Sequence, residues 1–136
     1  MQLQPYLNFN GQCETALRFY EKTLGGKIEF MMNFGDSPMA QEVPAEWHTK
    51  IMHGTLVVDG SVLMASDAFP DRYEAPKGFA VSINLKSPPD AERIFTALAD
   101  GGHVQMPIQQ TFWAARFGML IDRFGIPWMI NCDQPA

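Results

Sequence analysis

A run of strand, helix and three further strands occurs twice along this chain, and a whole supersecondary unit repeated in tandem constrains the fold more than any single motif. Each copy must bury one helix stripe against one sheet. In the first copy Leu3, Leu7 and Phe9 alternate with Gln4, Tyr6 and Asn8, so residues 2–9 read as a half-buried strand. After Asn10-Gly11, read as the cap and entry, Cys13, Ala16, Leu17, Tyr20 and Leu24 recur at helical spacing, and Gly25-Gly26 ends the helix. Residues 27–34 read as a strand. The stretch GDSPMAQEVPAEW carries two prolines and scattered charges and reads as a mobile surface loop, able to serve as a lid. Residues 50–67 form a predicted hairpin turning at Asp59-Gly60, and AFPDRYEAPK at 68–77 reads as a linker.

The second copy keeps the order. GFAVSINL reads as a strand, Ser87-Pro88-Pro89-Asp90 as a capped helix start, and Ala91, Ile94, Phe95 and Leu98 as the apolar stripe before Gly101-Gly102. Three strands follow in HVQMPI, AARFGMLID and IPWMINC, with Arg123-Phe124-Gly125 turning between the last two. Some identities repeat as well: Ala16, Phe19 and Tyr20 correspond to Ala91, Ile94 and Phe95, and GSVLM at 60–64 to GIPWM at 125–129. The expected fold class is therefore α+β, two βαβββ modules in one domain over 1–136, with module one near 1–67, the linker at 68–77 and module two near 78–132.

Composition removes several function classes. With 46% hydrophobic and 18% charged residues the chain is ordinary for a globular protein. Two cysteines, Cys13 and Cys132, make neither a disulfide framework nor a CxxC motif, which points to a reducing, cytoplasmic setting. No run approaches the roughly 18 to 20 apolar residues of a membrane span, and MQLQPYLNF lacks the features of a secretory signal, so no membrane partner is expected. A net charge of -5 without a basic block argues against nucleic acid.

PYLNFNGQCETALRFYEKTLGG and TFWAARFGMLIDRFGIPWMINC together resemble the PhnB-like branch of the vicinal-oxygen-chelate superfamily, the glyoxalase, bleomycin-resistance and extradiol-dioxygenase group. That branch is also catalogued as 3-demethylubiquinone-9 3-methyltransferase-like. FYxxxLG is common to the superfamily, whereas the second segment is longer and more specific. The resemblance implies that each module curves its sheet into half of a cup backed by its helix, that substrate lies in the concavity, and that the chain pairs as a homodimer. It also implies four metal-ligand positions, which here fall on Gln4, or Pro5 if the register slips by one, and on Met64, Ala80 and Met129. One weak ligand among four does not hold a hard or borderline divalent ion, so no metal and no cofactor are expected. Methyltransfer is disfavoured too, because no GxGxG follows a first parallel strand and Gly25-Gly26 follows a helix.

With Met52, Leu56 and Val58, and likewise Phe117, Met119 and Ile121, set toward the helices, period two puts His53, Thr55 and Arg116 on the opposite face. Tyr6, Asn8, Ser66, Ser82, Asn84 and Asn131 join them, between aromatic rims from Trp47 and Phe112-Trp113. Such a lining suits a small organic molecule with one anionic end. His53 is either an acid, base or hydrogen-bond donor to that molecule or a histidine satisfied within its hairpin. Arg116 is a planar fork for carboxylate or phosphonate, or a surface ion pair. Trp47 and Trp113 wall the ligand or belong to core and dimer interface, and Asp67 orients a site residue or serves as a turn or cap. His48 and His103 read as exposed at strand ends, and the two cysteines as inert buried thiols. Two functions follow: a metal-independent binding protein for a small, anionic molecule, or a metal-independent lyase or isomerase with His53 as acid/base and Arg116 as anion clamp. A purely structural dimer is disfavoured, since so many polar groups on one face would be needless desolvation in a packing surface.

Overall fold

The computed structural model describes residues 1–134. The chain divides between Glu74 and Ala75 into two compact units, each a βαβββ module. In the first, β1 (Tyr6–Phe9), α1 (Cys13–Leu24), β2 (Lys27–Asn33), β3 (Ile51–Val58) and β4 (Ser61–Asp67) give a sheet ordered β1-β4-β3-β2. Strand β1 runs parallel to β4 and the other pairs are antiparallel. Alternation sets the faces: Leu7, Phe9, Leu56, Leu63 and Ala65 are buried, as are Cys13, Ala16, Leu17 and Tyr20 of the helix stripe. Gly54 lets α1 approach, since a Cβ there would stand 2.7 Å from Leu17 Cδ1. The hairpin turns with positive φ at both Asp59 and Gly60, the geometry whose twist matches the flanking strands.

Three local expectations change. The first strand begins at Tyr6, not residue 2, and Leu3 is 93% exposed. Met64 N–H donates to Pro5 O, and Pro5, having no N–H of its own, adds no donor to the ladder there. Asn10-Gly11 does not cap α1; the N-cap is Gln12 and its side chain makes no cap bond. Instead the buried Asp67 accepts from Cys13 N–H and from Ile51 N–H, both at 2.9 Å, tying β4 to the starts of α1 and β3. The loop after β2 is not irregular throughout but holds three single 3-10 turns, fastened to one another and to the start of β3. Phe34 and Gly35 N–H donate to Lys50 O and His48 O, and His48 Nε2 lies 2.8 Å from Ala40 O and 3.3 Å from Val43 O. His48 is thus a structural clasp rather than an exposed strand end.

The second unit comprises β5 (Val81–Leu85), α2 (Pro88–Ala99), β6 (His103–Gln109), β7 (Ala114–Ile121) and β8 (Pro127–Asp133), ordered β5-β8-β7-β6. Ser87 Oγ accepts from Asp90 N–H and proline occupies the first turn of α2, as the sequence predicts. Ala91, Ile94, Phe95 and Leu98 pack with Leu120, Trp128, Ile130 and Cys132 in the core. Asp122 is the buried carboxylate of this unit, accepting from Phe124 N–H, Ile126 N–H and Trp128 Nε1–H.

The face assignment of β7 is reversed from the sequence expectation. A Cβ on Gly118 would lie 2.6 Å from Phe95 Cε2, so Gly118 and the buried Leu120 face α2, while Phe117, Met119 and Ile121 lie on the other side. Both faces of this strand are apolar, so alternation alone does not choose between them. The close approach of α2, which needs a residue without a Cβ, does.

Candidate functional site

Each sheet has one face away from its helix. On the first, register places Tyr6, Met64, Thr55 and Phe30 in one cross-strand row, with Asn8 beside Ser66 and Met32 beside His53 in the next. His53 Nδ1 lies 3.0 Å from Tyr6 Oη and Nε2 lies 3.3 Å from Thr55 Oγ1, with the Phe30 ring centroid 6.0 Å from the imidazole. A neutral imidazole has one donor and one acceptor nitrogen, and a phenol is a stronger donor than an alkyl hydroxyl. Tyr6 therefore donates to Nδ1, and Nε2–H donates to Thr55. In that tautomer, among the described residues, the face offers a lone pair on Tyr6 Oη and a proton on Thr55 Oγ1, an acceptor and a donor held in fixed relation. Ser66 Oγ donates to Asn8 Oδ1 at 3.4 Å.

On the second unit's open face Ser82, Asn84 and Asn131 form a ladder: Asn131 Nδ2 donates to Asn84 Oδ1 and to Asp133 Oδ1, and Asn84 Nδ2 donates to Ser82 Oγ. Phe117 stands opposite Asn131, with Trp113 edge-on at a centroid distance of 5.4 Å and Phe112 edge-on to Trp113 at 4.8 Å. Asp133 escaped the sequence reading, although its position two residues past Asn131 on a strand puts it on the same face.

Arg116 does not belong to either open face. It pairs with Cys132, whose buried side chain faces the helix, and its Nε donates to Glu92 Oε1 of α2 at 2.8 Å. The ion-pair alternative for this residue is the one realised, and a fork already turned to a carboxylate on the helix side is not an anion clamp. The reason is the same reversal that turns Gly118 toward α2. Trp47 packs against Phe69 at 5.8 Å between ring centroids, Phe34 packs against Phe69 at 5.3 Å, and Lys50 Nζ stands 6.0 Å from the Trp47 ring. Its Nε1–H is buried and has no hydrogen-bond partner among the described residues. It is part of the loop's aromatic cluster, apart from the His53 group. Asp67 serves as the cap described above, and burial first, then the Asp67 and Glu14 charges, push the Cys13 thiol well up.

The metal-ligand positions implied by the superfamily resemblance do not fit a divalent ion. Met64 lies on the first open face between Tyr6 and Thr55, and Met129 on the second between Ser82 and Met119. Thioethers, with Ala80 and one glutamine amide, are not the donor set of zinc, nickel, iron or magnesium. Among the described residues no group of three or more His, Cys, Asp or Glu side chains is placed to hold a metal.

Two βαβββ modules with parallel outer pairs β1-β4 and β5-β8 are the glyoxalase-like, vicinal-oxygen-chelate fold. Residues 1–131 match the family described as 3-demethylubiquinone-9 3-methyltransferase, and the chain belongs to that family. It is 37% identical to Protein YjdN of Escherichia coli (strain K12) over 146 residues, covering 100% of this chain and 99% of that one. Protein PA1353 from Pseudomonas aeruginosa is 54% identical with a TM-score of 0.91, covering 99% of both chains. The PhnB protein from Bacillus cereus shares the fold at 19% identity, a TM-score of 0.82 and coverage of 97% of this chain and 99% of its own. Among the described residues no helix is long and apolar enough to cross a membrane.

Proposed function

We propose that this chain is a small-molecule-binding protein whose ligand lies against the open sheet faces, without a metal, and that His53, held between Tyr6 and Thr55, is the centre of recognition. The observation that carries this reading is the Tyr6–His53–Thr55 chain of hydrogen bonds, a pre-oriented donor and acceptor on an uncovered face. Asn8 and Ser66 extend the same surface, and Ser82, Asn84 and Trp113 line the open face of the second unit, taken by itself as a second binding surface. Trp47 and Arg116 are left out of it. The ligand need not be anionic, because Arg116, the side chain expected to clamp an anionic end, is engaged by Glu92. The protein works as a cytoplasmic homodimer in this reading, which light scattering of the purified chain tests.

The family's methyltransferase description does not fit the residues present. The helix that follows the first strand has its first N–H, that of Cys13, directed at the chain's own Asp67, where a nucleotide-binding helix would turn it to the cofactor. A second reading, a metal-independent lyase or isomerase, is favoured by one observation: both ring nitrogens of His53 contact hydroxyls, a path by which a proton can pass. Binding stays ahead of it, since among the described residues the partners of the imidazole are hydroxyls and no carboxylate orients it.

The test is a thermal-shift panel of small metabolites on wild type, His53→Ala and Arg116→Ala. A hit that stabilises wild type and Arg116→Ala but not His53→Ala supports the site. Equal stabilisation of all three rejects His53 as a member. Turnover of that hit, abolished in His53→Ala or Tyr6→Phe with binding retained, selects the enzyme.

A further inference from the structure

We propose that the open face of the second unit takes the primary ammonium group of a small organic amine, held by the Asp133 carboxylate and the Asn131 amide oxygen beside the half-exposed Trp113 ring, which packs on the buried Phe117. This rests on the reading that the open faces bind small molecules, and it specifies the ligand's charge.

A carboxylate only accepts, so the Asn131 amide must turn its NH2 toward Asp133, 3.0 Å away, which fixes the orientation of that amide. Its second hydrogen is directed to Asn84 Oδ1 at 3.3 Å. Both Asn131 donors are thus used and its carbonyl oxygen, among the described residues, accepts nothing. Asn84 in turn donates one hydrogen to Ser82 Oγ. The ladder is polarised: its acceptors collect at Asn131 and Asp133, and its spare donors, Ser82 O–H and one Asn84 N–H, at the other end.

The charge agrees. Asp133 has no cationic partner within ion-pair distance among the described residues, and Lys86, which continues β5 toward it, makes no ion pair with it. Arg116, the cation expected on this face, is turned to Glu92 instead. A net charge of -5 adds a weak attraction for cations.

The apolar side completes the site. Phe117 stands directly across from Asn131, and Ala114, which follows Trp113, is across from Asp133. A short turn, closed by Thr111 N–H to Ala114 O and by Ala114 N–H to Thr111 Oγ1, holds Phe112 and Trp113 at its tip, 91% and 48% exposed. Gln134 Nε2 donates to Thr111 O and fastens the turn to the end of β8. A carboxylate, a free carbonyl oxygen and aromatic rings are the three partners an ammonium group takes at once, by charge, by N–H donation and by attraction to the ring face.

Three probes of one shape separate charge from shape: benzylamine, benzyl alcohol and benzoate, titrated into the full chain while the side-chain amide signals of Asn84 and Asn131 and the tryptophan fluorescence are followed. Benzylamine is expected to shift both amides saturably and to change Trp113 emission, benzyl alcohol to bind roughly tenfold more weakly, and benzoate not to bind. Asp133→Asn should bring benzylamine down to the level of benzyl alcohol and leave benzyl alcohol unchanged, and Trp113→Leu should weaken benzylamine in a chain whose charge is intact. Benzoate binding as well as benzylamine, or benzylamine indifferent to Asp133→Asn, overturns the proposal. A metabolite that responds to His53→Ala while benzylamine leaves the Asn131 amide unmoved would retain the proposed function and reject this site alone.

Discussion

Asp67 Oδ1 accepts the backbone N–H of Cys13 at 2.9 Å, so the last residue of β4 closes the first turn of a helix 54 positions earlier in the chain. Its other oxygen holds Ile51 at the start of β3. One buried carboxylate thereby satisfies two donors that would otherwise be orphaned. Asp67→Ala is expected to cost about 3 kcal/mol and Asp67→Asn about 2 kcal/mol, because the asparagine NH2 would face an N–H. Urea unfolding at pH 7 measures both, and a loss below about 0.5 kcal/mol for Asp67→Ala would mean that the cap is dispensable.

Cys13 sits beside that carboxylate, and its buried thiol is pushed up from the ordinary value of 9.0. The unfolded chain ionises this thiol first, so the native state keeps its full stability below about pH 9 and loses it progressively above, by at most about 1.4 kcal/mol per pH unit. Urea midpoints between pH 7 and 10.5 should fall more steeply for wild type than for Cys13→Ala. The native thiol should also resist alkylation at pH 8 until the chain is unfolded.

Gly118→Ala should destabilise the second unit by about 2 kcal/mol, since the new methyl meets both Phe95 and the Ile108 Cα, at 2.6 and 3.0 Å. Combining it with Phe95→Leu relieves one of the two contacts. The double-mutant cycle should therefore show a favourable coupling, and simple additivity would contradict the packing described.

Arg116→Ala removes an ion pair in which both side chains are partly solvated, so the loss should stay under about 1 kcal/mol, with the panel hits bound as before. A hit lost in Arg116→Ala would return this residue to the site.

The His53 tautomer is directly observable. Nitrogen-15 shifts of the wild-type ring should show a protonated Nε2 and an accepting Nδ1. Tyr6→Phe removes the donor to Nδ1 and should move that nitrogen's shift, while Thr55→Val should raise the share of the Nδ1–H form, because Tyr6 Oη can also accept.

The element order, the two helices with their apolar stripes, the Ser87 cap and the Asp59-Gly60 turn were all legible in the chain, because each depends on residues within a few positions of one another. So was the polar character of the first open face: Tyr6, Asn8, His53, Thr55 and Ser66 alternate with buried neighbours whose hydrophobicity marks the helix side. On β7 that contrast vanishes. Phe117, Met119 and Ile121 are as apolar as Gly118 and Leu120, and only the contact of Gly118 with Phe95, an element away, decides which set meets α2. That choice then directs Arg116 to Glu92 and leaves Asp133 on the open face without it. The same holds for Asp67, whose role depends on where α1 and β3 begin relative to the end of β4. Periodicity specifies faces where one side is polar; where both are apolar, or where a side chain serves a distant backbone, the packing of one element on another makes the decision.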